Sequence, residues 1–160
     1  DGATVVAANK EARKPEKTID GDDDSFVRNA CAAQKWIILE LSQLGRVDEV
    51  ELVMTEMYSS RVRDFSVKGR QSHPRKDGPS SDYPRFFDSE SWQLLGDFTA
   101  ANRKGAQLFK MPLRRRIRYL LFQFHTHYGA EEVCALNSIS VLGVPTTGLP
   151  ARWTACCQCP

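Results

Sequence analysis

The sequence has no long apolar run: stretches such as Trp36-Ile37-Ile38-Leu39 stop after four residues, far short of the roughly 20 that cross a bilayer as a helix. Excess charge of either sign is also missing. Lys plus Arg number 22 against 20 for Asp plus Glu, a net charge of +2, so no chain-wide field draws the molecule to nucleic acid. Histidine is scarce, at three residues. Gly-x-Ser-x-Gly elbows, phosphate-binding glycine loops and Gly-x-Gly-x-x-Gly fingerprints are absent, which removes the common hydrolase, nucleotide and dinucleotide classes. The carboxylates fall into one acidic segment or scatter over strand faces, leaving glycoside hydrolysis without a paired acid and nucleophile.

What remains is the balance of one compact domain, with 41% hydrophobic and 26% charged residues over 160 positions. Helical spacing is rare. Apolar residues instead recur with period two in short bursts between turn formers, the pattern of half-buried strands. Residues 36–41 read as one strand and 47–54 as a second, reached through a turn at Gly45. Further strands are expected at 65–69, 92–98, 107–110, 117–124 and 133–144. Residues 70–90, crowded with Pro74, Gly78, Pro79 and Pro84, read as a long surface loop. Some seven strands at this spacing predict an all-β sandwich of the jelly-roll type over residues 1–145. Residues 146–160 form a Cys-rich tail, and the opening Asp1-Gly2-Ala3, without an initiator Met, reads as a segment of a longer chain.

Four groups could carry chemistry. Thr18-Ile19-Asp20-Gly21-Asp22-Asp23-Asp24-Ser25-Phe26 packs four carboxylates around a glycine turn; it is either an exposed acidic turn or a loop that a hard cation such as calcium would relieve of repulsion. His125-x-His127 with Glu131 has the spacing of a first cupin motif, but no later His completes such a set, and Tyr119 stands where its leading Gly would be. Cys31 and Cys134 are either two buried thiols or a disulfide closing a long loop. Cys156, Cys157 and Cys159 lack a fourth zinc ligand nearby. The basic cluster Arg114-Arg115-Arg116-Ile117-Arg118 reads as a solvated sheet edge, with Arg116 and Arg118 on one face and Ile117 and Tyr119 on the other.

Seven stretches follow one another along the chain: Asn9-Lys10-Glu11-Ala12, the run from Ile19 through Cys31, Trp36-Ile37-Ile38-Leu39-Glu40-Leu41-Ser42, Glu56-Met57-Tyr58-Ser59-Ser60-Arg61-Val62-Arg63-Asp64-Phe65, Trp92-Gln93-Leu94-Leu95-Gly96-Asp97-Phe98-Thr99-Ala100, Ile117-Arg118-Tyr119-Leu120 and His127-Tyr128-Gly129-Ala130-Glu131-Glu132-Val133-Cys134. Together they resemble a SUN domain, most closely its mid-SUN branch, the osteopotentia-like and SUN-like proteins. The match covers about residues 3–144. It implies a galactose-binding-like β-sandwich that works by binding and not by catalysis. It also implies a disulfide between Cys31 and Cys134 beside a structural cation loop at residues 20–29. Asp20, Asp22, Asp23, Ser25 and Asn29 would supply the loop, largely through backbone carbonyls, with Leu136 contributing from the last strand, and the ion would be potassium or calcium.

The resemblance further implies a lumenal setting in the endoplasmic reticulum or nuclear envelope, with an extracellular surface as the alternative, and membrane attachment through flanking segments. The expected partner is a membrane protein or lumenal client, not nucleic acid, and an oligomer is compatible with the family. Tyr58, Arg61, Tyr83, Phe86, Tyr128 and Glu132 are the candidate contact residues, because sandwich loops commonly carry recognition. Two departures bear on the partner. Only about ten residues separate Asn9 from Asp20, too few for the hairpin lid that covers a KASH peptide. Glu132 and Leu136 occupy the positions of the tyrosines that receive the peptide carboxylate, so capture in that pocket is disfavoured. A carbohydrate-binding or adhesive module is the competing reading, and it needs exposed aromatic platforms such as Trp92 or Tyr83.

Overall fold

The computed structural model describes residues 2–19 and 26–153. Among them run ten strands in chain order: β1 (Ala3–Ala8), β2 (Val27–Ala30), β3 (Lys35–Met54), β4 (Asp64–Arg70), β5 (Gln93–Thr99), β6 (Gly105–Lys110), β7 (Arg116–Phe124), β8 (Val133–Leu136), β9 (Ser138–Pro145) and β10 (Ala151–Trp153). The all-β sandwich expected from the sequence is the observed fold.

One strand serves both layers. The first part of β3 pairs antiparallel with β1 and β7, and the sheet continues through β4 to β5; its second part pairs with β9 and β6, with β10 beyond β9. The change of layer occurs at a break in the β3–β7 register between Glu40 and Gly45, where Leu41 to Leu44 stand opposite Arg118 alone. The two strands and Gly45 turn read from the sequence are therefore one bent strand. Gly45 is needed for close approach: a Cβ there would lie 2.9 Å from Val144 O and 3.0 Å from the Trp153 ring. The same bulge explains why Ile117 and Tyr119 do not share a face. Ile117 joins the core between the layers and Tyr119 the cluster outside it, because the bulge spoils simple alternation. Arg118 bonds Leu41 O and pairs with Glu40 at 3.4 Å.

Between the layers lie Ile37, Leu39, Leu41, Leu52, Leu120, Phe122 and Val141, with Phe65 surrounded by the rings of Phe98, Phe109 and Phe124 at 4.9–6.2 Å. The intervening residues Trp36, Ile38, Tyr119 and Leu121 face the other way, yet they are buried too. The insert at 70–92 covers them. It is not a loose loop but a string of short helical turns, fixed by the Arg70–Asp77 ion pair, by Lys68 Nζ donating to Phe87 O at 2.8 Å, and by edge-on packing of Phe87 on Trp36 at 5.0 Å. Both faces of β3 and β7 being covered accounts for their unbroken apolar runs. Arg70 holds the Asp77 carboxyl below the ordinary carboxylate range.

The sheet also passes the boundary drawn at Pro145. After a short turn, β10 pairs with β9 and places Trp153 fully inside the core, over Gly45 and Gly143. The final run at 133–144 is likewise two strands, parted at Asn137, whose side chain accepts from Thr55 N. β8 leaves to pair with β2 in a separate ribbon. There Cys134 stands opposite Asn29, and Cys31 and Cys134 form a disulfide spanning 103 residues of sequence.

Two measurements test this account. Trp153→Ala is expected to cost about 3–5 kcal/mol in denaturant unfolding, and Gly143→Ala to destabilise strongly, because its Cβ would fall 1.9 Å from Arg46 O; near-neutral values for both would disconnect β10 from the core. Replacing both Cys31 and Cys134 by Ser is expected to lower stability by about 2–5 kcal/mol, the usual effect of opening a long loop.

Candidate functional site

The end of the sandwich at the β2–β8 ribbon gathers most of the residues singled out in the sequence. Three backbone segments meet there. Cys31 N donates to Glu132 O at 2.9 Å, closing the ribbon. The loop before β4 runs alongside β8, with Ser60 N donating to Val133 O at 2.8 Å. Its far side is laced to the segment after β7: Tyr128 N donates to Arg61 O, Arg63 N to Thr126 O, both at 2.9 Å, and Val62 bridges His127. Gly129, at φ +75°, makes the turn that follows.

This lacing presents particular side chains. Met57 and Tyr58 project from the loop, 73% and 85% exposed. Arg61 reaches Asn102 Oδ1 at 3.2 Å with one terminal nitrogen, while Tyr128 donates its hydroxyl to Ala100 O at 2.6 Å under the Arg63 guanidinium. Ser60 Oγ and Arg61 Nε are buried without a hydrogen-bond partner among the described residues. Two neighbours in one loop thus carry polar atoms withdrawn from water and unmatched, a costly arrangement. Asp64, at the loop's exit, accepts from Thr126 Oγ1 and Thr99 Oγ1, both at 2.6 Å, and these bonds hold its carboxyl below the usual range.

Of the predicted contact residues, Tyr58, Arg61, Tyr128 and Glu132 belong to this end, with Glu132 exposed. Tyr83 and Phe86 do not. Tyr83 is 4% exposed in the outer cluster, and Phe86 is half buried beneath the Arg85 guanidinium. Trp92, at 5% exposure, packs against Phe87 under Arg70. The aromatic platform that carbohydrate binding required is therefore inside the protein, because the insert uses its aromatics to cover the outer sheet face.

Asp20, Asp22, Asp23 and Ser25 of the expected cation loop lie outside the described residues. Asn29 and Leu136 lie inside them. Asn29 Oδ1 accepts from Asn9 Nδ2 at 2.7 Å, and Asn9 is buried, its own Oδ1 accepting from Trp36 N. Leu136 is buried opposite Val27. Asn9 is a positioning residue that the reading of chemistry overlooked, though it opens the first motif quoted above. The histidine pair does not converge with Glu131: β7 ends at Phe124, so strand alternation no longer applies, and His125 turns to Ser66 Oγ at 2.8 Å. Lys35 was also overlooked. Its ammonium donates to Cys31 O and Ala33 O at 2.6 and 3.1 Å, and burial pushes its pKa down. Beside it opens a cavity of about 590 Å³ bounded by Cys31, Trp36, Phe87, Asp88, His125 and His127.

Comparison with known proteins gives this geometry its context. The chain is 35% identical over 144 residues to SUN domain-containing protein 5 of Arabidopsis thaliana, an alignment covering 89% of this chain and 23% of that protein. It is 25% identical over 149 residues to the human SUN domain-containing ossification factor, covering 89% and 11%. It therefore spans less than a quarter of either relative. Among solved structures it superposes on CBM32-3 from a family 31 glycoside hydrolase of Clostridium perfringens with a TM-score of 0.66 at 13% identity, covering 88% of this chain and 90% of that one, a likeness of fold alone. The model of the Sad1 / UNC-like C-terminal family matches residues 8–145, and the chain belongs to that family, the SUN domains.

Proposed function

We propose that this domain is a non-catalytic interaction module of a larger membrane-associated protein, and that a membrane-protein partner or lumenal client docks on the loop at 55–63. One observation carries the reading: the loop combines two highly exposed large hydrophobic side chains, Met57 and Tyr58, with the unmatched buried atoms of Ser60 and Arg61. Tyr58 supplies contact area at small entropic cost, and a shift of the loop on docking that turns the buried Ser60 hydroxyl and Arg61 Nε out to partner oxygens would relieve roughly 1–3 kcal/mol per group. Tyr128 and Glu132 border the same surface. The Cys31–Cys134 disulfide supports an oxidising compartment, which we read as the lumen of the endoplasmic reticulum or nuclear envelope. No helix among the described residues is long and apolar enough to cross a membrane, so attachment is assigned to segments beyond this domain. The buried Trp92 and Tyr83 speak against the carbohydrate reading.

The structural cation is part of the same proposal. Residues 20–29 are read as its loop, Asn9 fixing the Asn29 end; the support is the carboxylate density and the Asn9–Asn29 bond.

In the native full-length protein, Met57→Ala with Tyr58→Ala is expected to reduce the co-purified partner at least ten-fold while leaving the melting temperature of the domain within a degree or so, since both side chains are solvent-exposed. Undiminished recovery would place the docking surface elsewhere. Melting in potassium, calcium and choline chlorides tests the ion: a rise of several degrees with one of the two metals is expected, and identical curves in all three would remove the cation from the account.

A further inference from the structure

Two of the three histidines are engaged: His125 with Ser66, and His73 Nδ1 accepting from Arg75 N at 2.9 Å. The ring of His127 has no hydrogen bond among the described residues and lies half buried against the disulfide. One of its nitrogens and the Sγ atoms of Cys31 and Cys134 all fall within 4.8 Å of one another. Next to them is a cavity of about 30 Å³, walled by the apolar Val27, Val62, Phe124 and Leu136 and reached by Lys35, His127 and Cys134, large enough for about one atom the size of a water. Lys35, Phe124, Thr126 and His127 also border the larger cavity of about 590 Å³, so the small space adjoins an entry path.

We propose that reduction of the Cys31–Cys134 disulfide converts this end of the sandwich into a zinc site, with the two thiolates and the His127 imidazole as protein ligands and water in the fourth position. A dithiol supplies the two electrons and two protons that split the S–S bond into two thiols and is itself oxidised to a disulfide. Zinc then displaces the two thiol protons to solvent, while neutral His127 donates a nitrogen lone pair. Two thiolates cancel the zinc charge, so the centre adds no net charge beside the buried Lys35 ammonium. Soft sulfur with imidazole selects zinc over the hard cations expected of the neighbouring acidic loop.

The geometry needs little adjustment. Zn–S and Zn–N bonds of about 2.3 and 2.0 Å put tetrahedral ligand atoms roughly 3.5–3.8 Å apart. The sulfurs must part by about 1.7 Å from disulfide bonding distance and His127 must approach by up to about 1.3 Å, within reach of side-chain rotation. The backbone keeps the three together once the covalent link is gone: Cys31 N is held by Glu132 O, Cys134 is paired with Asn29, and His127 is bridged to Val62.

The test uses the full 160-residue chain with Cys156→Ser, Cys157→Ser and Cys159→Ser, so that Cys31 and Cys134 are its only cysteines. After reduction by a phosphine, one equivalent of cobalt(II) is expected to give sulfur-to-metal charge-transfer absorption with tetrahedral visible bands, which zinc abolishes by displacement; the oxidised chain gives neither. His127→Ala keeps the oxidised fold and is expected to weaken binding more than roughly 100-fold, the upper end of what losing a ligand's hydrogen-bond partner costs. If reduction alone collapses the near-ultraviolet dichroism, zinc is expected to restore it in the parent chain and not in His127→Ala. Absence of a stoichiometric thiolate–cobalt spectrum, or equal affinity without the His127 ring, overturns the proposal.

Discussion

The whole sandwich depends on β3 being shared. A single strand of 20 residues crosses from one layer to the other, so the two layers cannot separate without breaking its pairing to β1 and β7 on one side or to β6 and β9 on the other. The crossing is possible because Leu41 to Leu44 bulge out of the ladder and Gly45 lets β9 and Trp153 approach the bend. Aromatic packing around Phe65 fills the opening between the layers, while the insert seals the outside of the first. Each cover explains an apolar run that a one-sided sheet would not tolerate.

At the ribbon end the backbone is held differently, by isolated bonds and bridges instead of long ladders. The β2–β8 ribbon has only four paired positions, too few to stand alone in water. The backbone bonds at Cys31 and Ser60 and the Cys31–Cys134 disulfide across 103 residues together hold it, and the loop at 55–63 hangs on the same strand through Ser60. A loop tied in this way to a covalent link is pre-organised, which would lower the ordering cost of the proposed docking. Unmatched polar atoms at Ser60 and Arg61 persist there because the surrounding bonds over-determine the chain path.

Much of this was legible in the sequence, and the exceptions have physical causes. Period-two bursts located β4, β5, β6 and β7 closely, since β6 pairs with β3 and β4 with β7 in regular register and the β4–β5 ladder is interrupted by a single bulge. Gly45 looked like a turn because glycine signals both turns and close approach, and only the position of Trp153 distinguishes them. Tyr83 and Phe86 read from the sequence as candidate contacts on a surface loop; the burial of Tyr83, Phe87 and Trp92 depends on an ion pair and a lysine–carbonyl bond between segments that no local pattern encodes. β1, β2 and β10 are short edge or ribbon strands whose partners, not their own composition, make them strands. Of the site, the cysteine pair and the 58–63 loop came from ordered motifs resembling a family. The place of His127 beside the sulfurs did not, because it lies just past the end of β7, where alternation stops predicting direction.

The distribution of exposed groups follows from how the faces are used. The outer face of the first layer is occupied by the insert, whose Arg70–Asp77 and Lys68–Phe87 contacts leave no aromatic surface there for a ligand. The arginines after β6 are solvated, and the ring next to them in sequence, Tyr119, is buried in the outer cluster, which makes them a poor platform for bases. The proposed docking is thereby left to the ribbon end, where Leu136 is buried opposite Val27 and Glu132 places an exposed carboxylate that repels an incoming anion. A partner docking as proposed would meet the exposed Met57 and Tyr58 first and keep its negative charge directed away from Glu132.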